Sequence, residues 1–311
     1  MWGEGARVDR FDMLMRFKET ARLGSFSGAA QVLGVPKSSV SQSISQLESQ
    51  LGTRLLHRST RSVRLTVDGE TFLPQCQALL ADWEALESQF ISDPSLIAGE
   101  LRIDMPSRFA TYFLLPRLHE FISAYPHIKL KVSSVDHQVN LVKEGFDCVI
   151  RVGDLHDSSL IAKPLFTYAM YNCVSTSYAR QYGVPQSLDD LTDHSLIEYS
   201  HALSQTEGEF EYFSGNEVKS VIMPSVISVN STEAYYRACI NGLGIAQIPM
   251  MKKQRELDEA GLISVLPQFQ AKPMPVNLLY ISRRHMPKRL SVFIEWLQQR
   301  VEEDGLTAKV R

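Results

Sequence analysis

The chain has 311 residues, of which 44% are hydrophobic and 22% charged, and its formal net charge is −3 at pH 7. This length accommodates a small module and a larger domain with its own core, and the longest apolar runs are too short to span a bilayer. Residues 1–66 hold ten Lys and Arg against five Asp and Glu, a balance of +5, so the total of −3 leaves −8 for the remainder. The N-terminal part alone is therefore suited to a polyanionic partner.

The first residues and the cysteines indicate an intracellular protein. Residues 1–6 lack the basic start and the apolar core of a secretion signal. The cysteines lie in apolar runs without CxxC or metal-ligand spacing, at Cys76, Cys148, Cys173 and Cys239. We expect reduced core residues of a cytoplasmic protein that has no metal site and no cofactor.

Three short helices are predicted at the N-terminus. The first runs from about Phe11 to Leu23 and stops at Gly24, Ser25 or Ser27 caps the second, and a GVPK break at 34–37 precedes the third. The third helix, from Lys37 to Gln50, has its apolar residues at i, i+4, i+7 and i+11, namely Val40, Ile44, Leu47 and Leu51. Its predicted exposed face carries Lys37, Ser38, Ser39, Gln42, Ser43 and Gln46.

A basic wing follows the third helix. By itself, a polar helix face is more typical of a solvated surface. However, two short strands at 55–58 and 62–65 enclose a turn, and arginines recur every three or four residues at Arg54, Arg58, Arg61 and Arg64. These arginines are spaced to follow phosphates, while Gln42 and Lys37 offer hydrogen bonds to base edges. Together, the two features predict a winged helix-turn-helix that reads the major groove.

A dimerisation helix is predicted after Thr66, which is suited to cap it. Apolar residues follow at spacings of 4, 3, 4, 3 and 4, at Phe72, Cys76, Leu79, Trp83, Leu86 and Phe90. This heptad seam favours a helix pair between two copies, and the alternative is a helix that packs on its own domain. Pro74 predicts a kink or a late start. Residues 92–95 form a linker-like break.

Short strands alternate with helices from Gly99 onward, which predicts βαβ units and a mostly parallel sheet. We expect strands at 101–105, 128–132, 148–152, 169–174, 263–266 and 276–281, and helices at 112–125 and 290–301. The carboxyl ends of such strands, beside helix starts, suit a small carboxylate or another anion. The predicted effector-binding residues are Ser107, Arg108, Phe109, Ser133, Ser134, Arg151, Tyr199, Ser200, Asn230 and Ser231. Each of them alone also fits a solvated loop or a helix cap.

Catalytic signatures are missing from the sequence. There is no GxSxG, HExxH or GxxxxGK[ST], and Gly242-Leu243-Gly244 precedes a strand instead of following one. The eight histidines are dispersed, and no nucleophile is paired with a base. We therefore predict that the protein is not an enzyme.

Residues 14–69 resemble the DNA-binding domain of the LysR-type transcriptional regulators. The resemblance rests on Phe17, Ser25-Phe26, Ala29-Ala30, Leu33, Val40-Ser41, Ile44, Leu47-Glu48, Leu51-Gly52, Leu55-Leu56, Arg58, Leu65-Thr66 and Gly69. Many members of the family carry arginine where this chain has Gln42. The downstream part is similar to the family's effector domain at residues 99–103, 115–116, 141–147 and 242–246, followed by Pro249.

This resemblance implies an α/β fold class with an all-α-type N-terminal winged helix-turn-helix, a long linker helix and a two-lobed effector domain like periplasmic binding proteins. The implied boundaries are 8–66 for the DNA-binding domain, 67–93 for the linker helix and 98–305 for the effector domain. Lobe I comprises 98–167 and 270–305, lobe II comprises 168–269, and the hinge lies near 166–169 and 267–272. The expected DNA contacts are Ser27, Lys37, Ser38, Ser39, Ser41, Gln42, Gln46, Arg54, Arg58, Thr60, Arg61 and Arg64.

The implied partners are double-stranded promoter DNA, a small effector, RNA polymerase and further copies of the chain, as a homodimer and a homotetramer, with no membrane. Two alternatives remain open at this point. One is a two-lobed solute-binding protein or small-molecule enzyme, against which the basic winged module argues. The other is an architectural DNA-binding protein whose second domain has lost its ligand.

Overall fold

The N-terminal head is a three-helix domain with a hairpin. A computed structural model describes residues 9–58, 63–88, 90, 93–137, 139–155, 160–200, 203, 208–215, 217–281 and 286–306. The head elements are α1 (Arg10–Leu23), α2 (Phe26–Leu33), α3 (Lys37–Leu51), β1 (Leu56–Arg58) and β2 (Val63–Leu65). Gly24 ends α1 with a φ of +58°, and Ser25 caps α2, because its Oγ accepts from the Gly28 N–H at 3.2 Å.

The head core confirms the predicted apolar faces with one exception. Phe17, Val40 and Ile44 are completely buried together with residues of all three helices. Leu51, which was expected in the core, is 45% exposed. It is the last residue of α3, and Gly52 turns the chain away there with a φ of +72°.

The linker helix α4 (Val67–Ser88) begins directly after Thr66, whose Oγ1 accepts from the Gly69 N–H at 3.0 Å. The late start expected from Pro74 is wrong, since the helix begins seven residues before it. Leu73 and Cys76 are buried against the head on either side of this proline. Their packing holds the helix through a residue that lacks an N–H donor.

The effector domain follows as alternating strands and helices. Its strands are β3 (Gly99–Met105), β4 (Ile128–Ser134), β5 (Cys148–Val152), β6 (Leu160–Ser175), β7 (Leu196–Tyr199), β8 (Gly208–Ser214), β9 (Glu217–Met223), β10 (Ser225–Val229), β11 (Ala246–Met250), β12 (Leu262–Ser264) and β13 (Met274–Ile281). Its α-helices are α5 (Ser107–Phe109), α6 (Leu118–Ala124), α7 (Leu141–Glu144), α8 (Thr176–Tyr182), α9 (Thr232–Ile240), α10 (Lys253–Ala260) and α11 (Lys288–Glu303). A π-helical turn and a 3₁₀ turn join α5 to α6, so this helical stretch begins earlier than predicted.

Strand β6 belongs to both lobes. Its first part, up to Tyr168, pairs with β13 in a sheet of order β4-β3-β5-β13-β6, in which β3 is parallel to β4 and β5. From Ala169 onward it pairs with β11 on one side and β12 on the other. The chain passes between the lobes at this switch and again between β12 and β13. The two-lobed α/β fold class is thereby confirmed.

The lobes have separate cores. Phe121, Phe166 and Phe293 are buried in lobe I, and Cys173, Ile197 and Phe210 in lobe II. Within the described part of the chain, no helix has both the length and the apolar character that a membrane crossing requires.

Candidate DNA interface and effector cleft

Helix α3 presents a polar face opposite a buried one. Val40, Ile44 and Leu47 pack into the head, while Ser38, Gln42 and Gln46 are exposed on the other side. Lys37 is exposed at the start of the helix, and Ser41 is half-buried beside this face. Short polar side chains around a long amide allow a helix to lie deep in a major groove.

Ser43 was expected on this face, and that expectation is wrong. Its side chain is completely buried, accepts a hydrogen bond from Arg16, and donates to the Ser39 carbonyl at 2.8 Å. Arg16 also donates to the Ser39 carbonyl, at 3.3 Å. Ser43 therefore fastens α3 to α1, because a buried hydroxyl must find partners inside the protein.

Glu48 connects α3 to the wing. Its Oε1 accepts from the N–H groups of Leu55 and Leu56 at 2.9 and 3.1 Å, and its Oε2 accepts from Arg58 at 2.8 Å. Arg58 also donates to Ser45, a residue of α3 that the sequence reasoning did not select. Part of the Arg58 guanidinium therefore positions β1, in addition to any contact with phosphate.

The remaining predicted DNA contacts lie around this surface. Arg54 and Arg64 are exposed at the wing, Ser27 is exposed on α2, and Ser39 is half-buried. Thr60 and Arg61 lie outside the described residues. Contact of all these side chains with DNA stays a prediction.

The predicted heptad seam divides into two parts along α4. Its first part, Phe72 and Cys76, packs on the head core. Its second part is open, since Leu79, Trp83, Leu86 and Phe90 are 50%, 43%, 47% and 82% exposed. We call these four residues the open seam. The packing of the helix on its own domain is thus confirmed for the first part, and the pairing of two copies through the second part stays a prediction.

A cleft of about 1030 Å³ lies between the lobes. This volume suits a small organic molecule. Among the predicted effector residues, its wall includes Arg108, Phe109, Arg151 and Tyr199. The wall does not include Ser107, Ser133, Ser134, Ser200, Asn230 or Ser231. Ser231 instead caps α9, its Oγ accepting from the Ala234 N–H at 3.5 Å.

Arg151 and Asp104 form an ion pair at the cleft wall. Nη1 of Arg151 lies 2.7 Å from Oδ2 of Asp104, which is completely buried at the end of β3. Among the described residues, Nη2 of Arg151 has no hydrogen-bond acceptor. The guanidinium therefore neutralises a buried carboxylate at the cleft wall, and its Nη2 is itself buried.

Arg108 extends from lobe I to lobe II. Its guanidinium lies 3.4 Å from Glu256 and 3.7 Å from Glu233, and it stacks at 3.7 Å from the ring centroid of Tyr236. These partners compensate the positive charge of Arg108, which therefore connects the two lobes in addition to lining the cleft.

Asp136 is a cleft residue that the sequence reasoning missed. It follows β4 and accepts hydrogen bonds from Ser107 in lobe I and Thr232 in lobe II. Burial, and then the charge of Asp136, raise the pKa of Tyr199 in the cleft wall to about 12. Tyr199 is therefore a neutral hydrogen-bonding group at physiological pH. The sequence signal was the position of Asp136 after a strand, beside the Ser133-Ser134 pair that had been selected.

The cleft wall carries more acidic than basic side chains. Its carboxylates are Asp136, Asp154, Glu198, Glu209 and Glu211, and its cations are Arg108, Arg151 and Lys272. Lys272 is paired with Asp154 at 2.9 Å. The three cations thus all have carboxylate partners, which limits the charge that they can offer to an anion.

Arg289 joins the linker helix to lobe I. Its guanidinium donates to Glu84 at 2.6 Å, to Asp147 at 3.3 Å and to the Glu100 carbonyl at 2.8 Å. Burial alone would lower the pKa of Arg289, but Asp147 and Glu84 raise it above its ordinary value. The charge of this arginine is therefore permanent, and it fixes α4 to β3 and to the loop before β5.

The four cysteines are buried, as predicted. Burial raises the pKa of the Cys76 and Cys239 thiols to about 12 and that of Cys148 well above its ordinary value. Such thiols are poor nucleophiles because the thiolate is the reactive form. In the described ranges, no group of three or more His, Cys, Asp or Glu side chains is placed to hold a metal ion.

Both parts of the chain match known families. Residues 11–70 match the family described as bacterial regulatory helix-turn-helix protein, lysR family, and residues 94–302 match the LysR substrate binding domain. The chain is 41% identical over 290 residues to the HTH-type transcriptional regulator YhjC of Escherichia coli K12, a match that covers 93% of this chain and 97% of that protein.

Two further relatives extend over nearly the whole chain. An HTH-type transcriptional repressor of Pseudomonas aeruginosa strain UCBPP-PA14 is 33% identical, and the match covers 96% of this chain and 94% of the repressor. The solved structure of CrgA, a LysR-type transcriptional regulator from Neisseria meningitidis, is 27% identical with a TM-score of 0.54, and covers 95% of this chain and 97% of CrgA.

Proposed function

This chain belongs to the LysR family of transcriptional regulators, and from this membership we propose that α3 reads promoter DNA while the interlobe cleft binds the effector that alters promoter binding. LysR-type regulators bind promoter DNA and small-molecule effectors, and they form oligomers. The observation that carries the DNA-binding proposal is the exposed face of Ser38, Gln42 and Gln46 on a head with a positive charge balance. We propose the boundaries 8–66, 67–93 and 98–305 for head, linker and effector domain.

The open seam supports a two-fold dimer through α4. A two-fold pair of heads places two recognition helices on successive major grooves of a roughly palindromic site. Gln42 lies at the centre of the exposed face, where its amide can donate to and accept from a base edge. Arg54 and Arg64 lie at the wing, where a guanidinium meets phosphates of any sequence.

Selection from random duplexes, repeated over a series of salt concentrations, tests this proposal. The full-length protein should enrich a roughly palindromic sequence, and its affinity should fall steeply with salt because phosphate contacts release counterions. Gln42→Ala should change the enriched sequence, whereas Arg64→Ala should weaken binding to all sequences and reduce the salt slope. Gln299→Ala, an exposed glutamine on α11, is the matched control. Equal affinity for all duplexes would contradict sequence-specific regulation.

For the effector, we propose a small acid whose anionic group faces Arg151. The position of that guanidinium in the cleft wall supports this choice, while the excess of cleft carboxylates favours amines as the competing class. A thermal-shift panel should therefore contain both small organic acids and amines of matched size. Stabilisation by an amine and by no acid would replace the acid with a cationic effector, and no response to any member of a broad panel would count against the effector site.

Arg151→Lys is the appropriate variant for this panel. Alanine would leave Asp104 buried without a counter-charge, which costs about 3–5 kcal/mol and confuses binding with stability. Lysine keeps the positive charge but loses the planar, two-pronged geometry that matches a carboxylate. Loss of the acid response in Arg151→Lys, with the melting temperature of the free protein retained, would support the proposed contact.

We further propose a cytoplasmic regulator that contacts RNA polymerase at its promoter and has no enzymatic role. The family acts on promoter DNA, which supports the cytoplasmic location. The sequence pairs no nucleophile with a base, which supports the absence of catalysis. Transcription in vitro from a selected site, with purified polymerase, would test the polymerase contact. Unchanged transcript levels over the full binding range of the regulator would contradict it.

A further inference from the structure

The carboxylate of Asp136 is bonded to both lobes at once. Its Oδ1 accepts from the Ser107 N–H at 3.0 Å, and its Oδ2 accepts from the Ser107 hydroxyl at 2.9 Å. From the other lobe, the Thr232 N–H reaches Oδ2 at 2.7 Å, and the Thr232 hydroxyl lies 3.0 and 3.2 Å from the two oxygens. The two hydroxyls lie 2.9 Å apart, although they are 125 positions apart in the chain. Two backbone N–H groups and two hydroxyls thus converge on one carboxylate.

These contacts are those that a protein makes to a bound anion. Thr232 is the first residue of the nine-residue helix α9, where the backbone N–H groups have no partner within the helix. Hydrogen bonds from such donors to an ionised acceptor are shorter and stronger than neutral ones. Because Asp136 already uses both of its oxygens, a free carboxylate finds these donors taken.

The bridge lies next to the second interlobe tie. Arg108 follows Ser107 directly in the chain and reaches Glu256, Glu233 and the ring of Tyr236 across the cleft. The anionic Asp136 and the cationic Arg108, both of lobe I, thus have partners on lobe II in the same region. This arrangement holds the lobes together with no other molecule between them.

We propose that Asp136 is a built-in anionic ligand, which occupies the carboxylate subsite between the lobes and makes the lobe-bridged arrangement the state of the effector-free protein. It rests on the proposed function in one respect, that the cleft is where an effector acts. Under this proposal, the effector binds in the rest of the cleft. It changes the orientation of the lobes against the hydrogen bonds of Asp136, which oppose that change. A tethered carboxylate has an effective concentration of about millimolar or more, so a free monocarboxylate at micromolar concentration does not displace it.

Chemical rescue of the full-length protein tests this inference. Asp136→Ala removes the carboxylate and leaves space beside its donors, so the melting temperature should fall by roughly 5 °C. Sodium acetate should then restore most of this loss in a saturable manner, whereas sodium chloride at the same ionic strength should not. At the acetate concentration that restores half of this loss, the wild-type protein should show a much smaller acetate-specific shift, because the donors of Ser107 and Thr232 are occupied by Asp136.

Two variants distinguish acetate binding in the place of Asp136 from a general effect of acetate on stability. Asp136→Asn keeps the side-chain volume and blocks the subsite, so acetate should fail to rescue it. Asp154→Ala removes another cleft carboxylate, which is 72% exposed and paired with Lys272, and this variant too should show no acetate response. An equal acetate response in wild type or in Asp154→Ala, or none in Asp136→Ala, would overturn the proposal.

Hydrogen exchange of the effector-free wild type provides a second measurement, which holds even if Asp136→Ala fails to fold. The amide protons of Ser107 and Thr232 should exchange at least tenfold more slowly than freely exposed amides, and exchange at the unprotected rate would overturn the bridge. Neither assay uses DNA or an effector. Loss of sequence-specific binding would therefore remove the proposed function and leave the rescue result standing, while failure of rescue beside specific DNA binding would remove only the role of Asp136.

Discussion

Truncation of the open seam should dissociate the dimer. We consider the double change Leu79→Ala and Leu86→Ala in the full-length protein. Complete burial of a leucine side chain contributes about 1.5–3 kcal/mol. Leu79 and Leu86 are 50% and 47% exposed, so only about half of this, about 1 kcal/mol each, remains to be gained at a helix pair. A two-fold dimer contains four such leucines, which gives about 4 kcal/mol and a roughly 10³-fold weaker dimer.

Sedimentation equilibrium over a wide concentration range measures this constant. Val32→Ala is the control, because Val32 is 58% exposed on α2 and lies outside the seam. Circular dichroism should show unchanged helix content and melting of the head in the double variant, since the leucines removed are those that do not pack on it. A dimer constant within threefold of wild type would refute the assignment of the open seam to the helix pair.

Three further changes test the head and one lobe. Gly69→Ala should lower the melting temperature and weaken binding to all duplexes, because an added Cβ would lie 2.1 Å from the Leu55 carbonyl oxygen. Differential scanning fluorimetry measures the first effect and a filter-binding assay the second. A melting temperature equal to that of the wild type would contradict this prediction. Burial lowers the pKa of His194 below its ordinary 6.5, against the raising effect of two nearby aspartates. The unfolded chain therefore binds more protons there, so stability should fall as the pH drops below about 6.5, and urea titrations of His194→Gln should show a flatter dependence. Exchange of the wing charge in Arg64→Glu should reduce affinity for all duplexes and leave the preference set by Gln42 unchanged, as competition with a scrambled duplex would show.

Much of the head was predictable because its signals are local. Gly24, Ser25 and Thr66 are capping residues whose effect depends on neighbours within three positions, and the structure places them where the sequence did. The apolar period of Val40, Ile44 and Leu47 likewise needs no tertiary information. Five strands of the effector domain were predicted to within two residues at each end, whereas β6 begins nine residues before the predicted start at 169, and β8 and β9 were not predicted.

The errors arise where distant segments meet. Ser43 reads as one more polar residue on α3, and only the approach of Arg16 from α1 makes it a buried contact. The apolar residues of α4 have a continuous heptad period, but the position of the head decides which half of them the head covers. The position of Asp136 after a strand was its one signal in the sequence, because its donors, Ser107 and Thr232, come from two lobes and meet only in the folded protein.

The contacts of Arg289 join the linker helix, which carries the DNA-binding head, directly to lobe I. Since Glu84 and Asp147 are bonded to the same guanidinium, α4 and lobe I are joined there, while lobe II is joined to lobe I through the crossovers and the contacts of Asp136 and Arg108. Asp136 and Asp147 lie at the two ends of the segment that contains α7, so this segment meets the cleft at one end and Arg289 at the other. Arg289 therefore connects the DNA-binding half of the molecule to the effector domain without being part of the cleft wall, and its loss would weaken that connection.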